Sequence, residues 1–380
     1  MHLNMSLVDA YLIVASIICF YFLSLSVANA VSFRQLTRPP RKFASPRVSV
    51  LIPARDEERN LKACLDSLLV QDYSNYEILV LDDNSSDGTA EILREYEKNH
   101  SNVKSFTGKP LPQGWFGKHF ACHQLYEIAS GEYFLFTDAD TVHGSKSISW
   151  ALTNLLHHKA DFMSAFPNQK IGSFGEAVIV PGVYLVTSFF LPVWLIPRSN
   201  MPDISFAIGQ FIMGRASAFR AVGGYERIKD SLVDDISMAR NMKTAGFKTL
   251  FLDGKDYVEC RMYRGYREAF SGLVKNVYAA LDKKPGRLFT VFVMFTAVIL
   301  LPLANLIYSV VTGADNLLFA ALPVAIFFTM WFYSLTERRL PIYVPFLYPL
   351  LFVNLMAISL VSAVKTGYGR GALWKGRWVK

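Results

Sequence analysis

Val48-Ser49-Val50-Leu51-Ile52-Pro53-Ala54-Arg55-Asp56-Glu57 is the stretch whose reading decides the fold. A β-branched run that stops at a proline reads as a buried strand with a breaker, and here acids follow at once. The same unit recurs twice. Residues 76–81 form a second apolar run, closed by Asp82-Asp83-Asn84-Ser85-Ser86-Asp87-Gly88-Thr89, and residues 133–136 form a third, closed by Asp138-Ala139-Asp140. Between them, residues 57–70 carry Leu61, Leu65, Leu68 and Leu69 at helical spacing, and another helix is expected near 116–130. Strand–helix alternation predicts an α/β class with a parallel sheet covered on both faces. Ligands of such sheets bind outside the carboxyl ends of the strands, so 53–57, 82–87 and 138–140 are expected to meet.

Each acidic cluster has a structural and a chemical reading. Asp138 and Asp140, two residues apart at a strand tip, suit Mg²⁺ or Mn²⁺ held jointly with substrate phosphates, or a solvated turn. Asp82 and Asp83 suit hydrogen bonds to a nucleobase and ribose, or N-capping of the next helix. Asp234-Asp235, just before a helical stretch at 236–244, suits general-base work on an acceptor hydroxyl, with capping again the alternative. Lys118 stands in Gly114-Trp115-Phe116-Gly117-Lys118, where glycines allow close approach to a diphosphate and the ammonium acts as a point charge. Arg261 and Arg264 would neutralise a leaving diphosphate or bind headgroup phosphates.

The remainder of the chain is membrane-like. With 52% hydrophobic residues, the 380-residue chain holds uncharged runs at 10–33, 288–314, 316–336 and 340–364, each longer than the roughly 20 residues a bilayer core needs. The first is too long for a signal-peptide core and has no basic residue before it, so an uncleaved anchor over 1–33 is expected. Arg34, Arg38, Arg41, Lys42 and Arg47 follow, a basic linker over 34–47 that places the next segment, 48–286, in the cytoplasm. The net charge of +8 then reads as anchoring against anionic lipid and not as a nucleic-acid footprint. Residues 172–197, apolar but interrupted by Pro181, Pro192 and Pro197, read as a helix on the membrane surface or over an acceptor groove, or as a buried core helix. The membrane region 287–364 and the basic tail 365–380 pull against each other. Three full spans would put a tail bearing Lys365, Arg370, Lys375, Arg377 and Lys380 outside, so 340–364, with Pro341, Pro345 and Pro349, is expected to be re-entrant or interfacial. Cys19, Cys64, Cys122 and Cys260 lack metal-type spacing and read as reduced thiols.

Taken together, 53–57, 82–87, Asp138-Ala139-Asp140 and Asp234-Asp235 resemble, in order and character, the motifs of the inverting family 2 glycosyltransferases with their GT-A nucleotide-sugar domain. A narrower resemblance, to membrane glucosyltransferases of carotenoid and hopanoid pathways (the diaponeurosporenoate and hydroxychlorobactene type), rests on residues 114–122, Arg261-Met262-Tyr263 and the closing Trp374-Lys375-Gly376-Arg377-Trp378. The resemblance implies an α/β GT-A domain between membrane helices, in a multi-pass cell-membrane hexosyltransferase. Its donor would be a nucleotide sugar, UDP-glucose, and its acceptor a lipid hydroxyl, on a carotenoid, with polyprenyl phosphate or ceramide as alternatives. It further implies Asp235 as base, Asp140 as metal ligand, and Pro53, Glu57, Asp82, Asp83, Lys118 and Asp138 around the nucleotide sugar. Asp234, Arg261, Arg264, Arg377 and Trp378 would face the diphosphate or acceptor. A non-catalytic membrane scaffold is the alternative from another class.

Overall fold

The computed structural model describes residues 6–40, 46–368, 372–374 and 377–379. Ten strands build the α/β region: β1 Val48–Ala54, β2 Tyr76–Asp82, β3 Val103–Thr107, β4 Tyr133–Phe136, β5 Thr141–His143, β6 Phe162–Phe166, β7 Asn168–Gln169, β8 Ile212–Arg215, β9 Thr249–Asp253 and β10 Val258–Cys260. Seven of them form one sheet in the order β3-β2-β1-β4-β8-β6-β9. Val48, Val50 and Ile52 of β1 pack with Leu61, Leu65 and Leu68 of helix α2 (Leu61–Leu69) on one face. Leu51 meets Leu125 of α4 (Gly117–Ile128) on the other. Cover on both faces is what a near-continuous apolar strand requires. Helix α3 (Thr89–Asn99) precedes β3, α5 (Ser147–His158) precedes β6, and α7 (Ala216–Ala221) follows β8.

The sheet is mixed, not parallel throughout as expected. β1 pairs in parallel with β2 and β4, but β8 runs antiparallel to both β4 and β6. The cause is the route between β6 and β8: no helix recrosses the sheet, so the returning strand starts at the carboxyl edge where β6 ended. A second, three-stranded sheet β5-β10-β7 flanks that edge, with Cys260 opposite both Thr141 and Gln169.

Residues 172–197 do not form one regular helix. Helix α6 (Phe174–Ala177) is followed by a 3₁₀ turn at Val180–Tyr184, a wide π turn at Val186–Phe190 and a second 3₁₀ turn at Val193–Leu195. Prolines without an N–H break the ladder at 181 and 192. The segment is wedged under the long helices, and Phe189 and Tyr184 share an apolar cluster with Phe22, Phe327, Trp331 and Phe352. Asn29 pins it to helix α1 (Leu7–Leu36), donating to the Thr187 and Leu191 carbonyls and accepting from Val193 N.

Four helices are long and apolar enough to cross a membrane: α1, Pro285–Thr312, Leu317–Glu337 and Val344–Lys365. The segment expected to be re-entrant or interfacial is helical from Val344 to Lys365, with Pro345 and Pro349 in first turns, where the missing N–H has no partner to lose. Arg34 and Lys255 both pair with Glu337 at 3.0 Å, and Arg338 with Asp253 at 2.7 Å, fastening the helix ends to the sheet. A cavity of about 380 Å³ lies at this junction, and none of the candidate acids lines it. Arg41 and Lys42 of the basic linker lie outside the described residues, as do the side chains of Arg377 and Trp378.

Candidate active site

β2 and β3 lead away from β1 on one side and β8, β6 and β9 from β4 on the other, so the β1/β4 boundary is the switch point of the sheet. Ligands of open α/β sheets bind in the crevice there. The loops after β1 and β2 are knitted together first. Pro53 stands in register with Leu81. Asp56, in the left-handed region at φ 51°, accepts from Ser86 N at 2.7 Å, while its own N–H donates to Ser85 Oγ at 2.9 Å. Asp82 Oδ1 accepts from Ser85 N at 2.9 Å and Ser85 Oγ at 2.5 Å. Asp83 donates its N–H to the Ala54 carbonyl and lies 3.9 Å from the Arg55 guanidinium. Neither acid caps α3, whose cap position is Gly88. The capping alternative therefore fails for Asp82 and Asp83, which instead shape the turn. Glu57 is outside α2, which begins at Leu61, and accepts from Asn60 Nδ2 at 3.0 Å.

Asp138-Ala139-Asp140 is a tight turn between β4 and β5, closed by Thr141 N and Oγ1 on the Asp138 carbonyl. Lys118, in the first turn of α4, reaches Asp138 Oδ1 at 2.5 Å. Desolvation opposes the Lys118 charge, but the Asp138 and Asp234 carboxylates outweigh it and raise its pKa. Desolvation, then the Asp138 and Glu57 carboxylates, push Asp140 up to about 7. Asp140 Oδ1 is buried with no hydrogen-bond partner. A hard divalent cation answers that arrangement, since it supplies the charge the acids lack. Among the described residues no three His, Cys, Asp or Glu side chains form a complete ligand set, so a cation on Asp140 would complete its shell from substrate phosphate and water.

Asp234 and Asp235 open α8 (Asp234–Thr244) from inside its first turn, and the cap position is Val233. Their surroundings drive them apart. Desolvation raises the Asp234 carboxyl, yet His119 and Lys118 outweigh this and hold it below the usual carboxylate range. Desolvation and the Asp234 charge push Asp235 up to about 7. Asp234 Oδ2 stands 3.6 Å from His119 Nε2, and Asp235 Oδ2 accepts from Gly209 N at 3.1 Å. Gly209 joins the two halves of the site. A side chain there would come within 3.1 Å of Lys118 Nζ and 4.0 Å of Asp138 Oδ2. Asp140, Asp138, Lys118, Gly209 and Asp235 therefore form one contiguous set, with Asp82 one strand beyond β1 on the same edge.

The two arginines separate. Arg261 forms a two-point pair with Glu176, Nη2 to Oε1 at 2.9 Å and Nε to Oε2 at 3.3 Å. Glu176 is 0% exposed and also accepts from Gly172 N and Gly265 N. Desolvation opposes its charge, but Arg261 and these N–H donors hold the carboxyl at about 2. The Arg261 side chain is 36% exposed while Glu176 is buried, so losing the arginine would leave a buried carboxylate without its cation. Arg261 is thus a strut. Arg264 instead crosses to the donor side, Nη2 to Asn60 Oδ1 at 3.1 Å, beside Glu57. His119, Gly209 and Glu176 carry no separate sequence signal. His119 follows Lys118 in the glycine-flanked motif but matters only once α8 packs beside α4.

A family profile described as glycosyl transferase family 2 matches residues 49–223, the span that holds β1 to β8 and the first three acidic loops. The chain is a glycosyltransferase, and the family 2 likeness lies in those residues. The chain is 23% identical over 268 residues to a 4,4'-diaponeurosporenoate glycosyltransferase of Staphylococcus aureus, covering 69% of this chain and 68% of that one. It is 25% identical over 240 residues to the protein of that name in Staphylococcus haemolyticus, covering 60% of each. Among solved structures, a mannosyltransferase of Pyrobaculum calidifontis in complex with GDP-Man and Mn²⁺ superposes with a TM-score of 0.54 at 20% identity, covering 95% of this chain and 99% of that one. This glycosyltransferase has the GT-A fold, flanked by long apolar helices at both ends of the chain.

Proposed function

We propose that this glycosyltransferase moves glucose from UDP-glucose, with inversion, to a hydroxyl of a membrane lipid of carotenoid type. The observation that carries the proposal is geometric: Asp138, Lys118 and Asp235 gather around Gly209, with Asp234 beside His119 and Asp235 held only by backbone N–H donors. A hydroxyl acceptor does not ionise near pH 7, so a base is needed, and separated carboxyl environments assign the roles. Asp235 takes the hydroxyl proton as the oxygen attacks the anomeric carbon from the face opposite the diphosphate. Lys118 and Arg264 attract the diphosphate, while Asp82, Asp83, Pro53 and Glu57 frame the nucleoside. Mg²⁺ or Mn²⁺ on Asp140 would stabilise the charge that develops on the leaving group.

The name of the relatives favours a second reading, a carotenoid carboxylate as acceptor. Such an acceptor is already ionised and needs no base. Membranes holding the protein, incubated with lipid extract and radiolabelled UDP-glucose, separate the two: label in an alkali-stable glycoside is expected. Alkali-labile label would favour the ester, and label from GDP-mannose alone would overturn the donor.

The domain division proposed is an anchor over 1–33, a basic linker over 34–47, a cytoplasmic catalytic domain over 48–286, a membrane region over 287–364 and a basic tail over 365–380. The second half of Val344–Lys365 lies against helix α9 (Tyr266–Ala280): Tyr266 Oη donates to Asn354 Oδ1 at 2.6 Å and Tyr278 N to Ser362 Oγ at 3.0 Å. Since α9 carries Arg267, Glu268 and Lys275, that half belongs at the membrane surface and not in hydrocarbon. This supports a cytoplasmic tail. A reporter fused after Lys380 should be active only in the cytoplasm; activity outside would refute this topology.

A further inference from the structure

Lys243, in the last turn of α8, is 4% exposed and pairs with no carboxylate among the described residues. Its ammonium donates instead to three backbone carbonyls, Ile196 at 2.8 Å, Ser199 at 2.7 Å and Ile204. Three N–H donors meeting three carbonyls saturate the group, which is the condition for burying it. Desolvation still lowers its pKa to about 8, so the cage holds a charge under strain from its surroundings.

The loop so gathered is the one that ends on the base. From Ile204 the chain runs through Ile208, fixed on Ser164 of β6 by N to Oγ at 2.8 Å, to Gly209, whose N–H meets Asp235 Oδ2 at 3.1 Å. Lys243 and Asp235 stand on the same helix, eight residues or about 12 Å apart along its axis. Loop and helix are therefore joined at two separated points, which sets the roll of α8 against the sheet edge as one contact alone does not. Three residues before Lys243 on the same helix, Arg240 lies 3.9 Å from Asp203 of the loop, a longer and more exposed contact.

We infer that Lys243 is a positioning residue for the catalytic base: by caging the carbonyls of Ile196, Ser199 and Ile204 it clips the loop to α8 and thereby aims Asp235 at the acceptor. The inference rests on Asp235 being that base. Displacing a reacting group by about 1 Å costs up to about 100-fold. Lys243→Met, which keeps the length and loses the donors, should lower kcat by about 10- to 100-fold while the KM for nucleotide sugar stays within about twofold. In an Asp235→Asn background the same substitution should cost nothing further, because residues acting as a unit are not additive. Lys243→Gln, which keeps two donors, should show a smaller loss of the same pattern and carries the comparison if Lys243→Met unfolds. An unchanged kcat, or a rise in donor KM that accounts for the loss, would overturn the inference. Equal losses in both backgrounds would overturn it too, since a purely structural clip predicts them. Full activity of Asp235→Asn alone would remove the base assignment and this inference with it, whereas an inactive Asp235→Asn beside a fully active Lys243→Met removes only the inference.

Discussion

Asp235→Asn will lower kcat by about 10²–10⁴-fold with little change in the KM for nucleotide sugar, because the amide keeps the size of the side chain but cannot take a proton. The pH dependence follows from the environment of the carboxyl. Desolvation and the Asp234 charge raise it to about 7, so the base form is lost as pH falls through that value and the acid limb of kcat sits well above that of an ordinary aspartate. Stability runs the other way. A carboxyl whose folded pKa exceeds its unfolded value stabilises the fold at low pH, and that contribution is lost as pH rises through the folded value. Asp235→Asn is therefore expected to raise the Tm at pH 8 while abolishing turnover, and steady-state kinetics with a melting curve at two pH values check both signs. A variant losing Tm and kcat together would assign Asp235 to structure.

Asp140→Ala is expected to have the second large effect, a fall in kcat/KM of about 10³-fold or more together with loss of Mn²⁺ binding in the presence of nucleoside diphosphate. The buried, unpartnered Oδ1 of Asp140 and the like charges of Asp138 and Glu57 make this the point of the site most in need of a cation. Removing one carboxylate also relieves that repulsion, so the variant should melt no lower than the parent without metal and should lose the Tm gain the parent shows with Mn²⁺ and nucleotide. Electron paramagnetic resonance of the Mn²⁺ signal gives a readout independent of turnover. Unaltered Mn²⁺ affinity would place the metal elsewhere.

Much of this site was legible because acids at strand ends obey local rules. A strand that stops at Pro53 or Asp82 puts its next residues at the carboxyl edge whatever the rest of the chain does. Four long apolar helices were legible for the same reason, since length and hydropathy suffice. What escaped is long-range. The reversal of β8 depends on the path of residues 167–211, which no local pattern records. Pro345 and Pro349 lie in first turns, where helices tolerate them, so the prolines alone do not decide how 340–364 meets the membrane. Glu176 meets Arg261, 85 residues away, a contact no local pattern records. Arg261 pairs with Glu176 and Arg264 with Asn60, a separation that their closeness in sequence does not record. Gly209 and Lys243 have no motif, and their roles exist only because α8 folds beside a loop that precedes it in sequence.

The most direct test is a crystal structure of the full chain with UDP-glucose and Mn²⁺. The account predicts the metal on Asp140 and the diphosphate oxygens, Lys118 turned from Asp138 toward the phosphates, and the anomeric carbon open on its far side to Asp235. A donor seated with its anomeric carbon facing away from Asp235, or a metal that leaves Asp140 untouched, would contradict it.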